Sequence, residues 1–209
     1  MAINIKKFVK ASQQPSPWDL GNRVLYDLCK THPGHRAEDE IVAKIWLIGR
    51  AYAAAIERRK NGDENSDNFY LKMVVPTIRK SNIDCWLGRL KDVASTTTET
   101  LPLVTETHQN VMILFEQISG LNKRSLASKY LHFHYPNIFF IYDSRAYNAM
   151  RVLKDITGRA PKGNGEGDNE YRKFVIKCVA LRDHLKKEYQ VSLTPRQLDT
   201  LLLLIEDSS

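Results

Sequence analysis

One stretch of this chain holds residue types that could do covalent chemistry: lysines on a helix, followed by an aspartate that closes an apolar run. Asp143 ends the run Asn137–Tyr142, NIFFIY, and precedes a helical pattern over Ser144–Lys154. An aspartate there is a good N-cap. A carboxylate anchored in that way can also stabilise positive charge that grows on a bound reactant. Lys123 and Lys129 lie upstream. A lysine amine is a nucleophile once neutral, and it forms Schiff bases. Arg124 stays protonated and cannot take that role. Lys129 sits one turn after Ser125, and helical side chains lean toward the N-terminus. His132 and His134 flank Phe133, but positions i and i+2 of a helix do not face each other, so no metal site is expected from them. No cofactor is expected either.

These residues need elements to hold them. Leu101–Ser119 reads as a helix with Pro102 in its first turn. Gly120 is the turn residue, and Asn122 tolerates a left-handed backbone. Ser125–His134 is again helical, with Leu126, Tyr130 and Phe133 on one stripe. Pro136 ends it, because the residue before a proline is pushed out of the α region. Ser144–Lys154, Asn169–Tyr189 and Arg196–Ile205 follow as helices, the last opened by Thr194–Pro195. Upstream, Ser16–Pro17 opens a helix to about Lys30. Arg36–Lys60 reads as one long helix, its Gly49 and alanines suggesting close helix approach. Phe69–Lys80, with Pro76 as a kink, and Ile83–Ala94 complete the set. Asn61–Asn68 and Gly158–Asp168 read as flexible loops. Alternating apolar and polar runs are nearly absent. The fold class is therefore all-α, with 1–209 as a single domain and internal boundaries near 100 and 155.

Composition sets the outer bounds. The chain has 209 residues and a formal net charge of +7, a balance that suits a polyanionic partner such as nucleic acid without requiring one. No apolar run approaches the ~20 residues that cross a bilayer, and no secretory signal stands at the N-terminus. Cys29, Cys85 and Cys178 are far apart, which is neither a metal spacing nor a disulfide framework. A soluble cytoplasmic protein without a membrane partner is the expectation.

The segment Ile118–Asp143 resembles the helix-hairpin-helix DNA glycosylase superfamily, and within it the oxoguanine-glycosylase-like branch. Ile118, Gly120, Leu121 and Ala127 match the family's hairpin, and Pro136 and Asp143 match the segment that ends in its catalytic aspartate. Asn122 stands near the second hairpin glycine, and Ser125 stands where the family lysine is expected. The resemblance implies a two-lobed fold around a cleft for double-stranded DNA, with one base flipped out. It implies excision of a damaged or modified purine such as 8-oxoguanine, with AP-lyase action where a lysine attacks C1′. Lys129, in the Ala127–Ser128–Lys129 context, is then the candidate nucleophile, with Lys123 the alternative, and Asp143 the catalytic carboxylate. The hairpin residues Gly120, Asn122, Lys123 and Arg124 would bind phosphate, joined by Arg145. Trp18, Tyr142 and Asp199 would line the base pocket. The alternative is a catalytically repurposed nucleic-acid- or nucleotide-binding protein of a bacterial anti-phage system that keeps the same fold.

Overall fold

The computed structural model describes residues 5–60, 66–159 and 168–208. Among them every regular element is helical and no strand occurs. The chain forms α1 (Ile5–Ser12), α2 (Asp19–Thr31), α3 (Glu38–Ala51) and α4 (Ser66–Phe69). A π-helical turn (Tyr70–Val74) leads into α5 (Val75–Lys80). Then come α6 (Ile83–Gly88), α7 (Leu101–Ser119), α8 (Arg124–His134), α9 (Ser144–Val152), α10 (Lys154–Thr157), α11 (Asn169–Tyr189) and α12 (Pro195–Glu206). The expected flexible loops at Asn61–Asn68 and Gly158–Asp168 lie mostly outside the described residues.

Helix α8 is the centre of the packing. Leu126 through Phe133 are all buried, and α2, α3 and α7 pack around the helix. A helix buried on all sides has no wet face for polar groups. Its Ser128, Lys129, Tyr130 and His132 must therefore find partners inside the protein, since an unpaired buried polar group costs about 1–3 kcal/mol. Helix α12 packs against α9 and α1, so the two ends of the described chain meet.

The apolar run before Asp143 is buried as expected, from Ile138 through Tyr142. It has no strand neighbour, so side chains satisfy its backbone. Thr96 donates to the Ile138 carbonyl at 2.5 Å, His132 Nδ1 to Phe139 at 2.8 Å and Tyr171 to Phe140 at 2.9 Å. Ser128 Oγ takes the Tyr142 amide at 3.0 Å. This lattice of side chains fixes the approach to Asp143.

Three expectations differ from the structure. The long helix expected over Arg36–Lys60 stops at Ala51. Ala53 adopts a φ of +51° and the Ala54 amide folds back to the Gly49 carbonyl at 2.8 Å. Gly49 serves this reversal, because a Cβ there would lie 3.2 Å from the Ala55 Cα. The helix expected over Ile83–Ala94 ends at Gly88. Asn122 does not use the left-handed region; of the hairpin residues only Gly120 does, at φ +70°.

Candidate functional site

Lys129 points from α8 toward the start of α9. Its Nζ lies 3.2 Å from Asp143 Oδ2, 3.0 Å from Ser125 Oγ and 3.2 Å from the Tyr52 carbonyl. An ammonium has three donors, and these three acceptors match them. The Lys129 side chain is 5% exposed, whereas that of Asp143 is 26% exposed. The carboxylate therefore stands between the buried amine and solvent. Asp143 Oδ1 accepts the Ala146 amide at 3.0 Å and so caps α9. The cap fixes one carboxylate oxygen and leaves the other for the amine.

Helix α12 brings a second carboxylate close. Asp199 is buried, and its Oδ2 accepts from Arg196 Nη1 at 2.8 Å. Its Oδ1 has no hydrogen-bond partner among the described residues. Burial pushes the Asp199 carboxyl up to about 7; the nearby Asp143 charge adds to that, and Arg196, Lys129 and Arg145 oppose it. Tyr52, at the end of α3, joins the group. Lys129 Nζ and the Arg196 guanidinium lie 5.8 and 5.7 Å from its ring centroid, within cation–π range. The Tyr52 hydroxyl donates to Asn22 Oδ1 at 2.6 Å.

Behind this group, His132 is held in one tautomer. Its Nδ1 donates to the Phe139 carbonyl, so its Nε2 accepts from the Tyr26 hydroxyl at 2.7 Å. Burial lowers the imidazole to about 4, which keeps it neutral. His132 thus ties α8 to α2 and to the run before Asp143. Among the described residues no group of three or more His, Cys, Asp or Glu could hold a metal ion.

The hairpin between α7 and α8 is built as a close turn. Gly120 caps α7, and the Asn122 side chain accepts the Arg124 amide at 3.1 Å. Its two cations are engaged within the chain. Lys123 Nζ donates to the carbonyls of Ala55 and Arg58. Arg124 pairs with Asp168 at 2.5 Å and Glu170 at 3.0 Å. The backbone amides of Asn122, which is exposed, and Lys123, which is buried, have no hydrogen-bond partner among the described residues. Arg145 is half-exposed and pairs with Asp207 and Glu206 at the end of α12.

The structure thus brings together Lys129, Asp143 and Asp199. It does not bring the other two base-pocket candidates to them. Tyr142 turns to the α11 side, where its hydroxyl donates to Glu170 and its ring meets Phe174 at 5.2 Å. Trp18 is 74% exposed at the start of α2. Sequence reasoning missed Tyr52, Arg196, Tyr26 and Asn22 as members of the site. Only Arg196 carried a signal, as an i, i+3 partner of Asp199 on a helix. Comparison with known proteins adds nothing to the geometry: no protein-family model, no curated protein and no solved structure matches this chain.

Proposed function

We propose that this protein is a DNA N-glycosylase with AP-lyase action on a damaged or modified purine such as 8-oxoguanine, using a two-lobed helix-hairpin-helix arrangement. One observation carries the reading: a buried lysine amine 3.2 Å from a partly exposed, capped carboxylate. The resemblance of Ile118–Asp143 to the glycosylase hairpin supports it.

In this reading the flipped nucleotide places C1′ beside Lys129. The ammonium passes a proton to Asp143 across the 3.2 Å contact, which frees a lone pair. The amine attacks C1′ while the C1′–N bond breaks, its electron pair leaving with the base, which takes up a proton. Asp143 hands that proton to the departing base and, a carboxylate again, offsets the charge that remains on the sugar. Loss of one of the two protons left on the nitrogen, and opening of the sugar with transfer of the other to the ring oxygen, give an imine between Lys129 and C1′. Loss of a C2′ proton then expels the 3′ phosphate, which is the lyase step. Asp199 offers its unpartnered Oδ1 to the base. With its carboxyl raised to about 7, it can donate or accept a hydrogen bond near neutrality. The exposed Asn122 would offer its backbone amide to a phosphate.

A second reading keeps the fold without the chemistry, as a nucleic-acid- or nucleotide-binding protein of an anti-phage system. The internal engagement of Lys123 and Arg124 favours it, because the hairpin then lacks free cations. Incubation with a panel of duplexes carrying single modified purines decides between them. Strand scission and release of a modified base support the glycosylase. Binding of the panel without any product supports the second reading.

A further inference from the structure

A cleft of about 870 Å³ opens where α9 and α10 face α11. Its floor is apolar: Met150 and Phe174 are buried, and Tyr147 is 40% exposed. Lys154, Arg159, Lys173 and Lys177 line it. Lys173 and Lys177 stand at i and i+4 on α11, so they share a face one turn apart, and like charges so placed repel. None of these four cations has an ion-pair partner among the described residues. Among the described residues the only acid of the lining, Glu170, is already taken by Arg124 at 3.0 Å and by the Tyr142 hydroxyl. The four cations of the walls are therefore without a carboxylate partner among the described residues, and the floor includes a partly exposed aromatic, Tyr147.

The cleft also has a fixed relation to the candidate site. The Tyr147 amide donates to the Asp143 carbonyl at 2.9 Å, so Tyr147 stands one helical turn, about 5.4 Å, from the carboxylate's residue. Tyr142, next to Asp143, meets Phe174 edge-on at 5.2 Å and Tyr147 at a tilt, 6.2 Å between ring centroids.

We propose that this cleft binds a single-stranded stretch of nucleic acid flanking the processed nucleotide, with a base stacked on Tyr147 and phosphates held by Lys173 and Lys177. Its position beside the processed nucleotide rests on the glycosylase reading; the binding itself does not. Single strands are held by just this pairing of a basic groove and stacking aromatics, and every base has a face to stack. A volume of this size suits a nucleotide-scale ligand.

The test is fluorescence anisotropy with a short, lesion-free, fluorescein-labelled oligothymidylate across a range of salt. Lys173→Glu with Lys177→Glu should weaken binding at least tenfold. It should also reduce the salt slope by about 1.4, at about 0.7 for each phosphate contact on a single strand. Tyr147→Ala, an exposed position, should weaken binding at least about fivefold. Lys186→Glu with Lys187→Glu makes the same change in net charge further along α11 and should leave affinity near that of the parent protein. Lys129→Gln should also bind the oligomer as the parent does, so failure of excision and failure of this cleft are read separately. Equal losses in the two double-lysine variants, no loss in Tyr147→Ala, or no binding by the parent at low salt would overturn the proposal.

Discussion

Helix α8 carries two buried polar clusters that differ in what they leave open. Toward its C-terminal half, the Tyr130 hydroxyl donates to His35 Nε2 at 2.5 Å, and His35 Nδ1 donates to Asp84 at 2.6 Å. Beside it the fully buried Lys44 donates to the carbonyls of His32 and Gly34. Both His35 nitrogens are used, the lysine meets only backbone, and the polar atom left without a partner among the described residues is an imidazole nitrogen, His134 Nε2, not a carboxylate oxygen. One position earlier on α8, Lys129 meets a carboxylate that solvent can reach, and a second carboxylate nearby keeps an unpartnered oxygen. Lys123 repeats the structural pattern, with two carbonyls and no carboxylate in contact. A buried lysine on carbonyls has no neighbour to take its proton. A buried lysine on an aspartate has one. The proposed chemistry rests on that difference.

The largest expected effect lies in the pH dependence of stability. Asp199 is raised to about 7 when folded, so the folded state keeps a proton that the unfolded state gives up between about pH 4 and 7. The parent should therefore lose stability relative to Asp199→Asn as pH rises through that window. Each tenfold change in proton affinity corresponds to about 1.4 kcal/mol, so the difference across the window is on the order of 4 kcal/mol. The buried histidines, which are lowered, act oppositely, but they are common to both proteins and cancel in the difference. Melting curves of the two proteins from pH 4 to 8 check this, and parallel curves would place Asp199 in an ordinary ion pair.

Next is Asp143→Asn. It keeps the shape and much of the cap, worth about 1 kcal/mol, but takes the charge partner from the buried Lys129 amine, so the melting temperature should fall by more than loss of a cap alone would give, and excision is compared well below it. Base excision should fall at least ~100-fold, roughly 2.7 kcal/mol of lost transition-state stabilisation. Excision equal to the parent's would make Asp143 a cap alone.

The smallest effect belongs to the other cluster. Tyr130→Phe strands His35 Nε2 without its donor and should cost about 1–3 kcal/mol of stability. Excision measured well below the melting point should stay within about twofold of the parent. A large loss of activity in this variant would erase the distinction between the clusters.

Much of the frame was legible in the sequence where a local signal sets an end. Pro102 and Gly120 bracket α7, Pro136 follows the end of α8, and Thr194–Pro195 opens α12. Asp143 as the cap of α9 follows from its place before a helical pattern. The end of α3 was not legible. Gly49 to Ala55 is rich in good helix formers, and the reversal at Ala53 is a tertiary event. The freed carbonyls of Tyr52, Ala55 and Arg58 are taken by Lys129 and Lys123 from α8 and its hairpin. For the same reason Tyr52 could not be read as part of the site, nor could the two hairpin cations be read as engaged. Lysine partners arrive from a distant segment, and no local pattern announces them.

The most direct measurement is the position of the covalent adduct. The protein is incubated with an active modified-purine duplex and borohydride, digested, and mapped by mass spectrometry. The reduced adduct should fall on Lys129, and Lys129→Gln should give none while still binding the duplex. An adduct on Lys123 or another lysine, or excision that proceeds in Lys129→Gln at the parent's rate, would contradict the account.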